Sequence, residues 1–274
     1  MNDLLSHPAV QAAAAPFVVA LILAAALMRT RLLGLAIGAG FATVIVLTIG
    51  LALEPMTATR KAVLVGLIAT ALVLPLELSG VRPGARVRAA LALAAGAAGV
   101  WVVLRVLQQR ELGLAVTAGA AAAAYTTALV ASGLALRDDS VRSASAAMAL
   151  GLGGGALALL GASVTLTQIG IAIGAGAGAV LLVQMVTGRP APAGWTLAFP
   201  ATVVVGLLGL ISVFTGELRW HHLPLLLAVP WATRLVPAGN RPVWLDAVLA
   251  SLAALVPAAL AVAIAWLGGA AATR

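Results

Sequence analysis

From residue 9 to residue 268 the chain alternates long apolar runs with short polar breaks, and the breaks carry nearly all of its charge. The pattern predicts ten helical spans: Ala9–Met28, Leu32–Leu53, Ala62–Ser79, Ala89–Leu107, Leu112–Leu136, Ala144–Ser163, Gln168–Val186, Leu197–Thr215, Leu223–Val236 and Trp244–Gly268. A helix needs about 20 mainly apolar residues to cross a hydrocarbon core of about 30 Å. In lipid each backbone N–H and C=O must be paired within the fold, which leaves helices and closed barrels. A barrel is built from strands of alternating character, and no such alternation appears. The expected fold class is all-α: a polytopic integral membrane bundle of about ten helices, forming a single transmembrane domain over 1–274.

Leu223–Val236 is the weakest span. Its 14 residues include Pro224 and Pro230, with Arg234 near its end. At 1.5 Å per residue it covers about 21 Å, short of the core. If it is re-entrant the chain crosses nine times, and the side of the C-terminus changes. The most hydrophilic loop, Arg137 to Arg142, sits at the midpoint with five spans on either side. Two five-helix halves, 1–139 and 140–274, would have opposite topology, as in many secondary transporters.

Composition moves the picture from helices to their solvent. Hydrophobic residues make up 63% of the chain and charged residues 9%, with a mean hydropathy of +1.14. A water-soluble fold has about a quarter of its residues charged. No polar segment is long enough to bury a core of its own, so a soluble domain is excluded. The net charge of +8 does not indicate nucleic acid, because the basic residues stand in ones to threes at helix ends. That is the positive-inside pattern beside anionic headgroups. With ten crossings, Arg29, Arg31, Arg82, Arg86, Arg88, Arg137, Arg142, Arg189, Arg234 and Arg241 fall in odd loops. Arg60, Lys61, Arg105, Arg110, Arg219 and Arg274 fall in even loops and the C-terminus. The excess places the odd loops in the cytoplasm and the N-terminus outside. Lys61 is the only lysine, and with abundant Ala and Gly this points to a GC-rich bacterial genome and an inner membrane. The absence of cysteine excludes disulfides and thiolate metal sites. The first eight residues lack a basic n-region, and the following apolar run is too long for a signal-peptide core.

Glycine at four-residue spacing is the strongest local motif. Gly170, Gly174 and Gly178 share one helical face, and Gly34 with Gly38 and Gly151 with Gly155 repeat the pattern. Small residues let helix backbones approach closely in lipid, so these seven are expected to be packing positions. The stretch Gly151 to Ala156 also fits G-x-G-x-x-A, but it lies inside an apolar run with no preceding strand, so no dinucleotide site is expected. His221 and His222 are adjacent and point about 100° apart on a helix, so they read as interfacial rather than as ligands of one metal. Six tryptophans (Trp101, Trp195, Trp220, Trp231, Trp244 and Trp266) lie mostly near span ends, as an interfacial belt does.

Ionisable residues in or beside spans are Glu54, Glu77, Arg105 and Asp246, each within roughly two turns of a helix end. Snorkelling and interfacial pairing account for most of them. Glu77 is the candidate ion-coupling residue, because Pro75 just before it opens the helix; its plain alternative is a headgroup-level pair with Arg82. Thr117, Tyr125, Thr126, Thr127, Ser163, Thr165, Thr167, Gln168 and Gln184 read as hydrogen-bonding glue between helices. No catalytic, metal or cofactor residue is expected. Three functions fit. The first is a non-enzymatic subunit or scaffold of a larger membrane complex, whose partners are lipid with anionic headgroups and other membrane subunits or itself. The second is a small secondary transporter of neutral or lipophilic solutes, for which Pro75, Pro200 and Pro257 would break helices. The third is an intramembrane lipid-modifying enzyme, disfavoured by the lack of paired carboxylates or histidines at depth.

Overall fold

The computed structural model describes residues 7–50, 54–80, 84–161, 163–192, 194–216, 218–237 and 241–272. Of the described residues 86% are helical, and none of them is in a strand. Ten α-helices follow one another: α1 (Ala15–Leu27), α2 (Leu35–Val44), α3 (Ala58–Ser79), α4 (Ala85–Leu107), α5 (Leu112–Leu134), α6 (Ser140–Leu160), α7 (Val164–Thr187), α8 (Trp195–Thr215), α9 (Leu223–Arg234) and α10 (Val243–Ala272). A π-helical turn, Val10–Ala14, extends α1, and a 3₁₀ turn at Arg31–Gly34 and a second π-helical turn at Ile45–Ile49 extend α2 at its two ends.

Each predicted span falls on one of these helices and its flanking turns, residues 51–53 and 162 of two spans lying outside the described residues, and several helices begin about a turn earlier than their apolar run. The reason is capping. Thr57, Asp139 and Ser163 accept hydrogen bonds from Arg60, Arg142 and Leu166 backbone N–H groups at 3.3, 3.0 and 3.4 Å. Such caps satisfy the orphan donors of a first turn, so the helix can start in polar sequence. At the far ends, Gly80 and Gly188 adopt φ of +63° and +65° and stop α3 and α7 with the left-handed residue that glycine alone takes without strain.

Nine helices among the described residues are long and apolar enough to cross a membrane, α1 and α2 with their flanking turns included. The exception is α9, the segment whose span was weakest in sequence. Its flanks nevertheless reach opposite ends of the bundle. Leu218, before it, lies against Gly161 at the end of α6. Val236, after it, accepts a hydrogen bond at 2.9 Å from Arg142 Nη2 in the first turn of α6. Helix α9 and its flanks therefore run antiparallel to α6 along its whole length.

The centre of the bundle is α8, 94% of whose apolar window is buried. It packs against α3, α4, α5 and α6. Helices α6 and α7 form a tight hairpin, α1 and α2 lie on α7, and α9 and α10 lie on α6. Helices from the two sides of the midpoint loop thus interleave. The perimeter carries large exposed apolar side chains such as Ile22, Ile68, Leu93, Val116, Val186 and Leu260. In water such coverage would be an aggregation surface. Loops following α1, α3, α5 and α7 meet at one end, where Arg31, Gly80, Arg137 and Ala191 line one cavity. Loops following α2 and α6 meet at the other, around Thr48, Arg60 and Ser163.

Candidate functional site

The densest buried polar cluster lies at the Arg137 end, where α3 meets the start of α8. Gly194 is the N-cap of α8 and offers no side-chain acceptor. The first turn of this enclosed helix therefore needs an acceptor from elsewhere. Glu77, in the last turn of α3, supplies it. Its side chain is buried, and Oε2 accepts hydrogen bonds from Gly194 N at 3.3 Å, Thr196 N at 2.9 Å and Thr196 Oγ1 at 3.1 Å. A carboxylate suits this place because a helix N-terminus carries partial positive charge. Gly34 backs the same turn: a Cβ there would strike Thr196 and the Leu197 backbone. Arg82, the partner expected for Glu77 at headgroup level, lies outside the described residues. What the described residues give Glu77 is the N-terminus of α8.

Beside this cap is a cavity of about 220 Å³, lined by Arg31, Glu77, Arg137, Asp138 and Trp195 among others. The Arg137 guanidinium stacks over the Trp195 ring at 4.6 Å, and its Nε stands 3.6 Å from Asp138 Oδ2. Its Nη1 is buried with no hydrogen-bond partner among the described residues. Arg31 reaches in against Gly80, where a Cβ would occupy the place of its guanidinium. Behind the cavity, Ser140 Oγ donates to Gln184 Oε1 at 2.8 Å, and Ala191 N donates to both oxygens at 3.0 and 3.2 Å. Ala191 is thereby held to α6 and α7, and Gly194 to α3. Gln184 was expected as inter-helix glue; Ser140, Gly194, Thr196, Arg31 and Arg137 were not expected as members of a cluster.

The glycine motifs are distributed over several contacts. Gly151 and Gly155 on α6 face Gly170 and Gly174 on α7, so closely that a Cβ on Gly151 would meet the Gly174 backbone and Gly170 O, and one on Gly170 would meet Gly155 Cα at 2.6 Å. The two backbones touch through these four residues. Gly178 is looser: a Cβ there would lie 3.7 Å from Met148 Sδ, an ordinary contact. Gly38 faces Thr70 of α3 rather than the α6–α7 pair. The Gly151 to Ala156 stretch that fits the dinucleotide pattern is continuous α-helix inside α6.

At the opposite end, Lys61 is buried, donates to Trp101 O at 3.0 Å and sits 4.8 Å over the Trp101 ring. The His221 and His222 rings lie 4.1 Å apart, tilted by 54°, in the turn before α9, and no group of three metal-binding side chains exists among the described residues. Glu217 lies outside those residues. Burial, then the neighbouring His221 and Arg219, hold His222 below its usual pKa of 6.5. The folded state thus binds this proton less readily than the unfolded chain, whose histidine titrates near 6.5. The stability contribution is full above that pH and is lost as pH falls below it. The melting temperature in detergent is expected to drop between pH 7.5 and pH 5.5, and His222→Gln to flatten that part of the profile. Identical profiles for the two proteins would contradict this account.

A bundle that is all-helical among the described residues, with nine helices there of this length and character, apolar around its girth and polar at both ends, is the architecture of a multi-pass membrane protein. No protein-family model, curated protein or solved structure matches the chain.

Proposed function

We propose that this chain is a multi-pass protein of a bacterial inner membrane, where it serves as a non-enzymatic subunit or scaffold of a larger membrane complex. The observation that carries this reading is the way α8 is fixed. It is enclosed by four neighbouring helices, and its N-terminus is tied to α3 through the buried Glu77 carboxylate. A carrier must rock one set of helices against another. Here backbone contact between α6 and α7, the Glu77 cap and the Ser140–Gln184–Ala191 knot all oppose such motion. A rigid body with apolar sides suits a structural partner for other membrane helices or for a second copy. The Arg137 end faces the cytoplasm on this reading, in keeping with its larger share of arginines. Extraction from native membranes in mild detergent is the test. A stoichiometric membrane-protein partner is expected to co-elute. A chain that elutes alone and carries solute into vesicles would overturn the reading.

A second reading, a small secondary transporter of neutral or lipophilic solutes, is favoured by one feature: the cavity reaches the Glu77 carboxylate two residues after Pro75 in α3. On that reading Glu77→Gln folds and loses coupled uptake in vesicles. Unchanged uptake would remove the feature that favours it.

A further inference from the structure

We propose that the cavity between Arg31 and Arg137 binds a phosphate group, as presented by an anionic phospholipid headgroup or by free phosphate. The first ground is Arg137. A guanidinium stays charged at any physiological pH and carries five donors. This side chain is only 10% exposed, and its Nη1 is buried without an acceptor among the described residues. Stacking on Trp195 fixes the plane of the guanidinium, so the unmatched donor belongs to an ordered group beside the cavity. Leaving a buried charged donor unmatched is costly, and an oxyanion is the acceptor that pairs best with it.

The second ground is convergence. Arg31 arrives at the same cavity from a different loop, and glycine at position 80 is what lets it lie there. Two forks from two directions suit a tetrahedral phosphate, whose oxygens diverge, better than a planar carboxylate, which one fork satisfies. The charge balance limits the guest. Glu77 also lines the cavity, but its Oε2 is held by three donors at the start of α8. Asp138 lines it too, loosely placed against Arg137 Nε and mostly exposed. These carboxylates oppose a highly charged anion, so a singly charged phosphodiester fits best. The cavity lies at the loop end of the bundle, the level at which such headgroups stand. The inference is independent of whether the protein is a scaffold or a carrier.

The test is thermal stabilisation of the detergent-purified full chain by three probes: phosphatidylglycerol, inorganic phosphate and, as a phosphate-free lipid, diacylglycerol. Arg31→Gln and Arg137→Lys are the variants. Arg31 is exposed, and Arg137→Lys keeps the charge while removing the fork, so both are expected to fold. Arg189→Gln, an arginine of the same end outside this cavity, is the control. Phosphatidylglycerol is expected to raise the wild-type melting temperature. The half-saturating concentration should rise on the order of tenfold in each cavity variant and not in the control. A response to inorganic phosphate with the same arginine dependence supports the site and assigns it to a soluble ligand. Equal responses in the wild type and both cavity variants, or stabilisation by diacylglycerol matching that by phosphatidylglycerol, overturn the proposal.

Discussion

Glu77→Ala is expected to destabilise the protein by about 3 kcal/mol, because it strands buried donors that a charged acceptor had satisfied. The substitution leaves Gly194 N–H and Thr196 N–H facing a site with no acceptor, at the start of the most enclosed helix. Thr196 Oγ1 can rotate toward its own helix, so its loss is smaller. Glu77→Gln keeps one acceptor oxygen and the shape of the side chain. It gives up the negative charge at the α8 N-terminus, so roughly 1–2 kcal/mol is expected. An exposed ion pair at headgroup level would contribute no more than about 1 kcal/mol, and Ala and Gln would then behave alike. Reversible unfolding in mixed detergent micelles separates the cases. The order Ala, then Gln, then wild type in rising stability supports the cap, and two variants indistinguishable from wild type would refute it.

Gly151→Ala should be nearly as damaging, for a steric reason. The new methyl would meet the Gly174 backbone and Gly170 O, and backbone cannot rotate away as a side chain can. Helices α6 and α7 must then part along a face that dispersion holds together. Overpacking of this kind costs about 1–3 kcal/mol. Gly178→Ala lies on the same stripe of α7 but meets only Met148 Sδ at 3.7 Å. It should be neutral or slightly stabilising, since alanine is the better helix former by about 1 kcal/mol. Gly151→Ala combined with Gly170→Ala should be less than additive, because the first substitution already separates the pair. Equal losses for Gly151→Ala and Gly178→Ala in a melting assay would remove the backbone-contact interpretation.

These two sites mark how far sequence reading extends. Helices were legible because an apolar run of membrane length has few other solutions in lipid. The glycine face of α6 and α7 was legible because four-residue spacing is a local property. Which of its members touch is not local. Gly178 falls where Met148 stands opposite, and Gly38 belongs to a different contact, so spacing alone could not separate them from Gly151. Glu77 shows the same limit. Sequence proximity offered Arg82 and the opening at Pro75, whereas the cap joins residues 119 positions apart. Ser140 and Gln184, separated by 44 positions, meet for the same reason. The shortness of α9 was legible, but its passage along α6 was not, because the Arg142–Val236 hydrogen bond spans 94 positions.

The bundle's placement in a membrane is tested most directly by cysteine accessibility, and the wild-type chain has no cysteine to interfere. Ser140, at the start of α6, is unsuited to labelling because it is buried and bonded to Gln184 and Ala191. Gln109, Asp138 and Pro237 are exposed and sit in the loops following α4, α5 and α9. An impermeant thiol reagent added to intact cells is expected to label Gln109→Cys and to leave Asp138→Cys and Pro237→Cys unlabelled until the membrane is opened. Labelling of Pro237→Cys together with Gln109→Cys would mean that α9 turns back instead of crossing. Labelling of Gln109→Cys and Asp138→Cys from the same side would contradict the membrane-spanning bundle itself.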